Sequence, residues 1–228
     1  MTLEDHEYRD SSGKRLEDYP RPSVAVDTAV LTIEGGELKV LLTIKDSAVT
    51  TPTNDWQLPG TFLHVGETLA DAVRRSLDDR TGMRNLDPVQ LHVFDDPKRD
   101  DRGWVLSVAH LAATRVDRLH LNEHSKLFSV SKVPHLKYDH SKIVAFAVET
   151  IRERYRHAPD PLGLLPDPII GEPKYSFVMR DLRMLHDAIA GKKQNPDVFR
   201  RAMIDHLKPT GQWRKGARGK PAELYVRG

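Results

Sequence analysis

The sequence predicts a mixed α/β body followed by a small winged helix-turn-helix, and three observations carry that prediction. Alternating, β-branched segments recur on both sides of one loop-helix stretch, Gln57 to Met83 (QLPGTFLHVGETLADAVRRSLDDRTGM), so strands surround a helix. A proline-rich segment from Pro159 to Pro173 (PDPLGLLPDPIIGEP) resists both helix and sheet ladder and marks a boundary. Beyond it, two short helical patterns precede a basic hairpin. Charge divides at the same place: residues 172–228 carry 13 Lys/Arg against 6 Asp/Glu, and the rest carry 22 against 27. A basic C-terminal quarter on an acidic body implies two domains, one of them facing a polyanion.

In chain order, residues 1–22 are polar without apolar periodicity and are expected to form a mobile arm. Ser23 to Ile33 alternates as a strand, Glu34-Gly35-Gly36-Glu37 is a turn, and Leu38 to Ile44 is the returning strand. A polar loop, 45–55, leads through Trp56 into the central stretch. There Gly60 and Gly66 bracket a loop, Glu67 and Thr68 stand at the helix entrance, and Gly82 follows the last turn. Leu69, Val73 and Leu77 make the core stripe of that helix, with Arg75, Ser76, Asp79 and Arg80 on another face. Strands are expected at Val89–Phe94, Trp104–Ala113 and Leu127–Val130. A helix over Asp139–His157 should bury Ile143, Phe146 or Ala147, and Ile151.

After the proline-rich segment, Asp181 to Ala190 is amphipathic through Leu182, Leu185 and Ile189, and Gly191 stops it. Asn195-Pro196 caps and opens a second helix, which carries Phe199, Met203 and Leu207 inward until Pro209. Arg200 and Arg201 stay outside. Gln212–Lys215 and Glu223–Val226 pair as a hairpin around GARGKP. These are the parts of a winged helix-turn-helix, whose second helix enters the major groove of DNA. The domains expected are thus 1–22, 23–158, 159–173 as linker, and 174–228.

At 228 residues, with 30% charged and 39% hydrophobic residues, the composition is that of an ordinary soluble protein with a sizeable core. The absence of cysteine excludes disulfides and thiolate metal sites and fits a reducing cytoplasm. No apolar run approaches bilayer-spanning length, and the charged N-terminus lacks the apolar region of a signal peptide.

A polar helix face at a loop-helix junction is where phosphates and their metals are often held. The central stretch resembles the Nudix box: Gly, five residues, Glu, seven residues, Arg-Glu, an aliphatic, any residue, Glu-Glu, any residue, Gly and an aliphatic. Glu67, Arg75, Leu77, Gly82 and Met83 match it. Thr61 occupies the first Gly position, beside Gly60. Ser76 replaces the Glu after Arg, and Asp79 and Arg80 replace the paired Glu residues. In active Nudix hydrolases these carboxylates hold divalent metals that activate water. Here one acid is neutral, one is shortened and one has become a cation, so Mg²⁺ is expected to bind poorly.

Taken whole, residues 21–228 resemble the Nudix-related transcriptional regulators of NAD metabolism, the NrtR family. LPGTF, VFDDPKRDDRGWVLSVAHLA, the pair Asp139-His140, FRRAM and KPAELY carry the likeness in that order. Val198 and Lys220 depart from the Asn and Arg expected there. The resemblance implies a Nudix-like α/β/α sandwich joined to a winged helix, in a homodimeric repressor of NAD biosynthesis or salvage genes. It implies a pseudo-palindromic duplex as partner, and ADP-ribose or a related NAD metabolite as effector, with no cofactor required. The implied ligand residues are Glu67 and Arg75 holding the loop, with Asp79 beside them. Lys45 and Arg102 would face the diphosphate and Phe94 the adenine.

Each residue also has a plainer reading. Glu67, Arg75 and Asp79 brace a helix equally well; Lys45 is a solvated cation; Phe94 and Trp56 are core aromatics, the reading preferred for Trp56. Arg99 and Arg102 reach a ligand or keep a loop soluble. His120 and His124 have ligand spacing but no third partner and are read as surface residues. Arg200, Arg201, Arg214, Lys215, Arg218 and Lys220 lie on a helix and a hairpin tip, which favours phosphate contact over a solvated face. The alternative function is an active Nudix hydrolase of ADP-ribose or another nucleoside diphosphate derivative. A third, an RNA-binding or scaffold protein, lacks the aromatic stacking platforms that single-strand readers show.

Overall fold

A computed structural model describes residues 8–44, 55–84, 86–215 and 220–228. The elements are β1 (Ser23–Glu34), β2 (Glu37–Thr43), β3 (Gly60–Phe62), α1 (Leu69–Thr81), β4 (Val89–Phe94), β5 (Val105–Ala113), β6 (Ser125–Ser129), α2 (His140–Arg156), β7 (Phe177–Val178), α3 (Met179–Ala190), α4 (Pro196–Met203), β8 (Leu207–Arg214) and β9 (Ala222–Arg227). Within 8–22, in the expected arm, Asp10 accepts from the amides of Ser12 and Lys14, and a 3-10 turn covers Leu16–Asp18.

β1 is the hub of the body. From Ser23 to Leu31 it pairs in parallel with β5 (Ser23↔Val105 through Leu31↔Ala113). On its other side it has two partners in succession: β3 at its start (Ala25↔Phe62 to Asp27↔Gly60) and β2 at its end (Leu31↔Val40 to Glu34↔Glu37), both antiparallel. The sheet order is β4-β5-β1-β2-β6, with β3 attached to β1 alone. The sheet therefore forks beside Asp27, and the fork opens the cleft described below.

Period-two alternation along β1 sends Val26 and Val30 to one face and Ala29 and Leu31 to the other, all fully buried. The first pair meets Ala72, Val73 and Leu77 of α1. The second meets Ile143, Ala147 and Ile151 of α2. The result is an α/β/α sandwich. Of the alternatives on α2, Ala147 takes the core and Phe146 stays 42% exposed, stacked on His92 of β4. Trp56 meets Phe128 edge to face at 5.1 Å, as a core aromatic does. At the ends of α1, Thr68 and Asp71 form a reciprocal capping box and Gly82 (φ 67°) terminates the helix in the left-handed region.

The C-terminal module differs from the sequence expectation in three ways. Its second helix is shorter: α4 ends at Met203, a 3-10 turn follows, and Leu207 and Pro209 already lie in β8. The wing has a third strand, β7, paired with β9 through Phe177↔Tyr225, which two residues were too short to announce. Finally, the apolar face of α3 is divided. Leu182 joins Phe177, Phe199, Met203, Leu207 and Tyr225 in the module's own core, whereas Leu185 and Ile189 enter the core of the body. Burying each of those two is worth about 1.5–3 kcal/mol.

The proline-rich segment is packed. Leu164 is buried in the body core, with Leu162 and Leu165 against it. Asp160, 1% exposed, accepts from Tyr155 Oη at 2.6 Å and from the amides of Leu164 at 2.8 Å and Leu165 at 3.2 Å. Its carbonyl accepts from Arg227 of β9 at 2.6 Å. From α3, His186 donates Nε2–H to the Pro159 carbonyl at 2.6 Å and lies edge-on to both Tyr155 and Phe199. Burial pushes the His186 pKa down, against the pull of the Pro159 carbonyl. Replacing Tyr155 by Phe removes one of the three donors to a buried carboxylate. A loss of about 1–3 kcal/mol is expected in urea unfolding, with an unchanged m-value.

Candidate functional site

The fork of the sheet exposes a cleft of about 190 Å³ lined by, among others, Asp27, Gly60, Phe62, Arg80, Arg102 and Tyr138. Its floor is a buried ionic cluster. Ser107 donates to Asp27 Oδ2 at 2.6 Å, and His140 Nε2 lies 3.3 Å from Asp27 Oδ1. The amide of Leu58 donates to His140 Nδ1 at 3.1 Å, so the ring keeps its proton on Nε2, towards Asp27. Arg99 spans the cluster, with Nη2 2.6 Å from Asp139 Oδ1 and 3.6 Å from Asp27 Oδ2. Burial pushes the Asp27 carboxyl up, but His140, Ser107 and Arg99 more than offset this and hold it below its ordinary value. Gly60 is required here: a Cβ would stand 2.1 Å from Asp27 Oδ1 and 2.9 Å from the Val26 carbonyl.

Arg99 is thus a structural anchor. The sequence offered it as a loop residue reaching ligand or solvent, but the carboxylate of Asp139, at the N-cap of α2, makes no cap bond and is spent on Arg99 instead. Through that pair the loop 95–104 is fastened across the cleft. Arg102, from the same loop, is gripped by Asp100 through Nε at 2.8 Å and Nη2 at 2.6 Å and lines the cleft.

Beside the cleft, Glu67 and Arg75 lock the turn between β3 and α1. Arg75 donates Nε to Glu67 Oε1 at 2.8 Å and Nη2 to Oε2 at 2.9 Å. It also reaches Thr61 Oγ1 at 3.0 Å and the Phe62 carbonyl at 2.9 Å, while Glu67 accepts from the His64 amide at 3.0 Å. The Arg75 hydrogen bonds, with the His64 amide, hold the Glu67 pKa down to about 2.

Other expected ligand residues lie elsewhere. Phe94 sits in β4 opposite Ser107, packed against the body core and outside the cleft lining. Strand polarity hid this, because Phe94 ends an exposed edge strand. The aromatic rings in the cleft are those of Phe62 and Tyr138, which the sequence reading missed; Tyr138 shows no signal except its place before Asp139-His140. Asp79 is exposed on α1 and does not line the cleft. Lys45 lies outside the described residues.

The acid positions of the Nudix-like box do not fit a divalent metal. Ser76 is 2% exposed on the core side of α1, not on a polar face, and its hydroxyl has no hydrogen-bond partner. Arg80 brings a cation to the cleft, and both Glu67 oxygens are already occupied by Arg75. Among the described residues, no three His, Asp or Glu side chains are grouped to hold a metal, and His120 and His124 belong to no such group.

On the C-terminal module, Arg200 and Arg201 are exposed on α4, Arg200 lying over the Tyr225 ring at 5.9 Å. Lys215 and Lys220 are exposed on either side of the hairpin tip, and Arg218 lies outside the described residues. Arg214 is different from its expected role. It gives Nε and Nη2 to Glu172 at 2.6 and 2.7 Å and Nη1 to Asp181 at 2.6 Å, tying the proline-rich segment, α3 and the wing together. A guanidinium with both edges occupied is not free to grip a phosphate.

The NUDIX domain profile matches residues 22–147, and the NrtR DNA-binding winged helix domain profile matches 174–226. The chain is 28% identical over 218 residues, 91% of its length and 83% of the relative's, to the ADPR responsive transcriptional repressor NtrR of Acinetobacter baylyi. It is 31% identical over 134 residues, 58% of its length and 76% of the relative's, to an ADP-ribose pyrophosphatase of Methanocaldococcus jannaschii. The structure of Shewanella oneidensis NrtR complexed with a 27mer DNA matches with a TM-score of 0.69 and 26% identity, over 90% of this chain and 93% of that one.

The Glu67–Arg75 lock sets a pH dependence. The folded Glu67 pKa of about 2 lies below its ordinary 4.5, so the stabilisation is complete above pH 4.5 and is lost as pH falls from there through 2. Thermal unfolding of the protein and of Glu67→Gln, compared from pH 7 downwards, should show a constant gap to pH 4.5 and a closing gap below it.

Proposed function

The chain belongs to the NUDIX family, and from that premise we propose that it is a homodimeric, DNA-binding transcriptional repressor whose NUDIX body senses ADP-ribose or a close NAD-derived relative without hydrolysing it. One observation carries this reading. A NUDIX cleft with its loop lock intact, but with Ser76, Asp79 and Arg80 at the acid positions, is packed into the same unit as a winged helix. The relatives that are an ADPR-responsive repressor and a DNA-bound NrtR support both halves of the proposal. The pyrophosphatase relative favours hydrolysis instead. Against it stand the buried Ser76 and the cationic Arg80, which replace the oxygens a divalent metal needs. Genes of NAD biosynthesis or salvage are the targets this reading assigns, in the cytoplasm.

In mechanism, Glu67 and Arg75 hold the turn at the cleft mouth and the Asp27–His140–Arg99 cluster holds its floor. Arg200 and Arg201 on α4 orient the recognition helix in the major groove, and Lys215, Arg218 and Lys220 of the wing meet the phosphates. Two half-sites about one helical turn apart require two copies. Because α3 shares the body's core, a shift of α2 against α3 changes the angle between the wings. Ligand releases DNA only if it favours the arrangement that cannot span both half-sites; equal affinity for both would shift nothing.

Calorimetric titration of ADP-ribose with and without operator duplex tests the switch. Operator should weaken ADP-ribose binding by the same factor by which ADP-ribose weakens operator binding, about 5–150-fold for ordinary coupling. Equal affinities in the two titrations would end the proposal. Incubation with ADP-ribose and Mg²⁺ or Mn²⁺ should give no turnover, and rates on the order of 1–10³ per second would establish the hydrolase instead. At the wing, Lys215→Ala and Lys220→Ala should each lower the salt slope of DNA binding by about one. Arg214→Ala should lower the unfolding midpoint and leave that slope unchanged.

A further inference from the structure

Arg102 occupies a place that a ligand would need. Its guanidinium lies over two rings at once, 5.2 Å from the centre of Phe62 and 4.8 Å from that of Tyr138. The rings come from different parts of the chain, β3 and the turn before α2, and meet at the cleft. At about 190 Å³ the cleft is smaller than the roughly 300 Å³ at which small-molecule sites begin. A nucleoside diphosphate derivative gains room there when a side chain leaves. Arg99 is 3% exposed at its side chain and pinned by two carboxylates, so it stays; Arg102, 49% exposed there and held by Asp100 alone among the described residues, is the one more readily displaced.

What replaces a guanidinium between two rings is defined by its shape. The guanidinium is planar and stacks on aromatic faces, as a nucleobase does. We propose that Phe62 and Tyr138 form the stacking subsite for the base of a nucleotide effector, and that Arg102 is the placeholder that fills this subsite in the ligand-free protein. The subsite rests on the reading of the body as a sensor of a nucleotide derivative, and it gives that sensor its preference for a ligand bearing a flat base. Phe62 is 38% exposed, so one wall is open to an arriving ring. The other wall is fixed. Tyr138 holds a left-handed backbone (φ 56°), a conformation that persists for a bulky residue only where its surroundings impose it. Here Asp139 and His140, its immediate neighbours, are held by Arg99 and by the Leu58 amide. Asp100, whose side chain is 1% exposed, holds the Arg102 guanidinium through Nε and Nη2, and an arriving base must break that pair as well as the ring contacts.

A placeholder and a direct contact predict opposite signs. Calorimetry on the full-length protein with ADP-ribose and, by competition, with ribose 5-phosphate separates them. Arg102→Ala removes the cost of displacing the cation from two rings, so ADP-ribose should bind roughly two- to tenfold tighter, with no gain for base-free ribose 5-phosphate. Tyr138→Leu should weaken ADP-ribose roughly five- to 150-fold, the worth of one base stack, and leave ribose 5-phosphate unaffected. Unchanged or weaker ADP-ribose binding by Arg102→Ala overturns the placeholder, as does an equal gain for both ligands. If the unaltered protein binds ADP-ribose and Tyr138→Leu binds it as well, the stacking subsite falls while the sensor stands. If the unaltered protein does not bind ADP-ribose, the sensor reading itself fails and the subsite with it.

Discussion

The buried cluster of Asp27, Ser107, His140, Arg99 and Asp139 is the interaction on which the body's geometry depends. Five polar side chains from two strands, a loop and the start of α2 meet where the sheet forks, each within reach of an opposite charge or a hydrogen-bond partner. Breaking one such pair in a buried setting leaves the other charge stranded, which costs far more than the pair contributes as a net gain. The cluster therefore acts as a specifier of position. It sets β3 against β1, the 95–104 loop across the cleft, and the first residue of α2 beneath the Leu58 amide. Gly60 is the corollary, since the carboxylate stands where any side chain would be.

The elements that follow from periodicity were legible in the sequence. Alternation in β1 and β5, the Thr68 cap, the left-handed Gly82 and the Asn195-Pro196 start are local signals, and the structure places them within a residue or two of expectation. What was not legible depends on contacts distant in sequence. Arg99 lies among exposed charges in DDPKRDDRG and is 8% exposed because Asp139, forty residues on, claims it. Arg214 belongs to a basic hairpin by composition and to a carboxylate pair by geometry. Ser76 was grouped with Arg75, Asp79 and Arg80 on the polar face of α1 and faces the core instead. In each case residue type was a sound guide to chemistry and a poor guide to direction.

The candidate site divides along the same line. Glu67 and Arg75 were identifiable because both match fixed places in the Nudix box and pair across only eight residues. Phe62 and Tyr138 were not, because an aromatic cleft built from a three-residue strand and a left-handed turn has no periodic signature. Phe94 was offered for the adenine with the core as its plainer reading, and β4 packs it against the body core.

The divided face of α3 also bears on how such a protein is assembled and altered over time. A helix that gives Leu182 to one core and Leu185 and Ile189 to another belongs to neither domain alone. The winged module is therefore not a cassette that recombination can move onto an unrelated receptor by joining at the proline-rich segment. A graft at that point would carry two bare aliphatic side chains and strand Leu164 on the donor. Successful exchange requires a recipient with a matching socket. Substitution within the cleft, by contrast, changes its lining and leaves the joint between the halves intact.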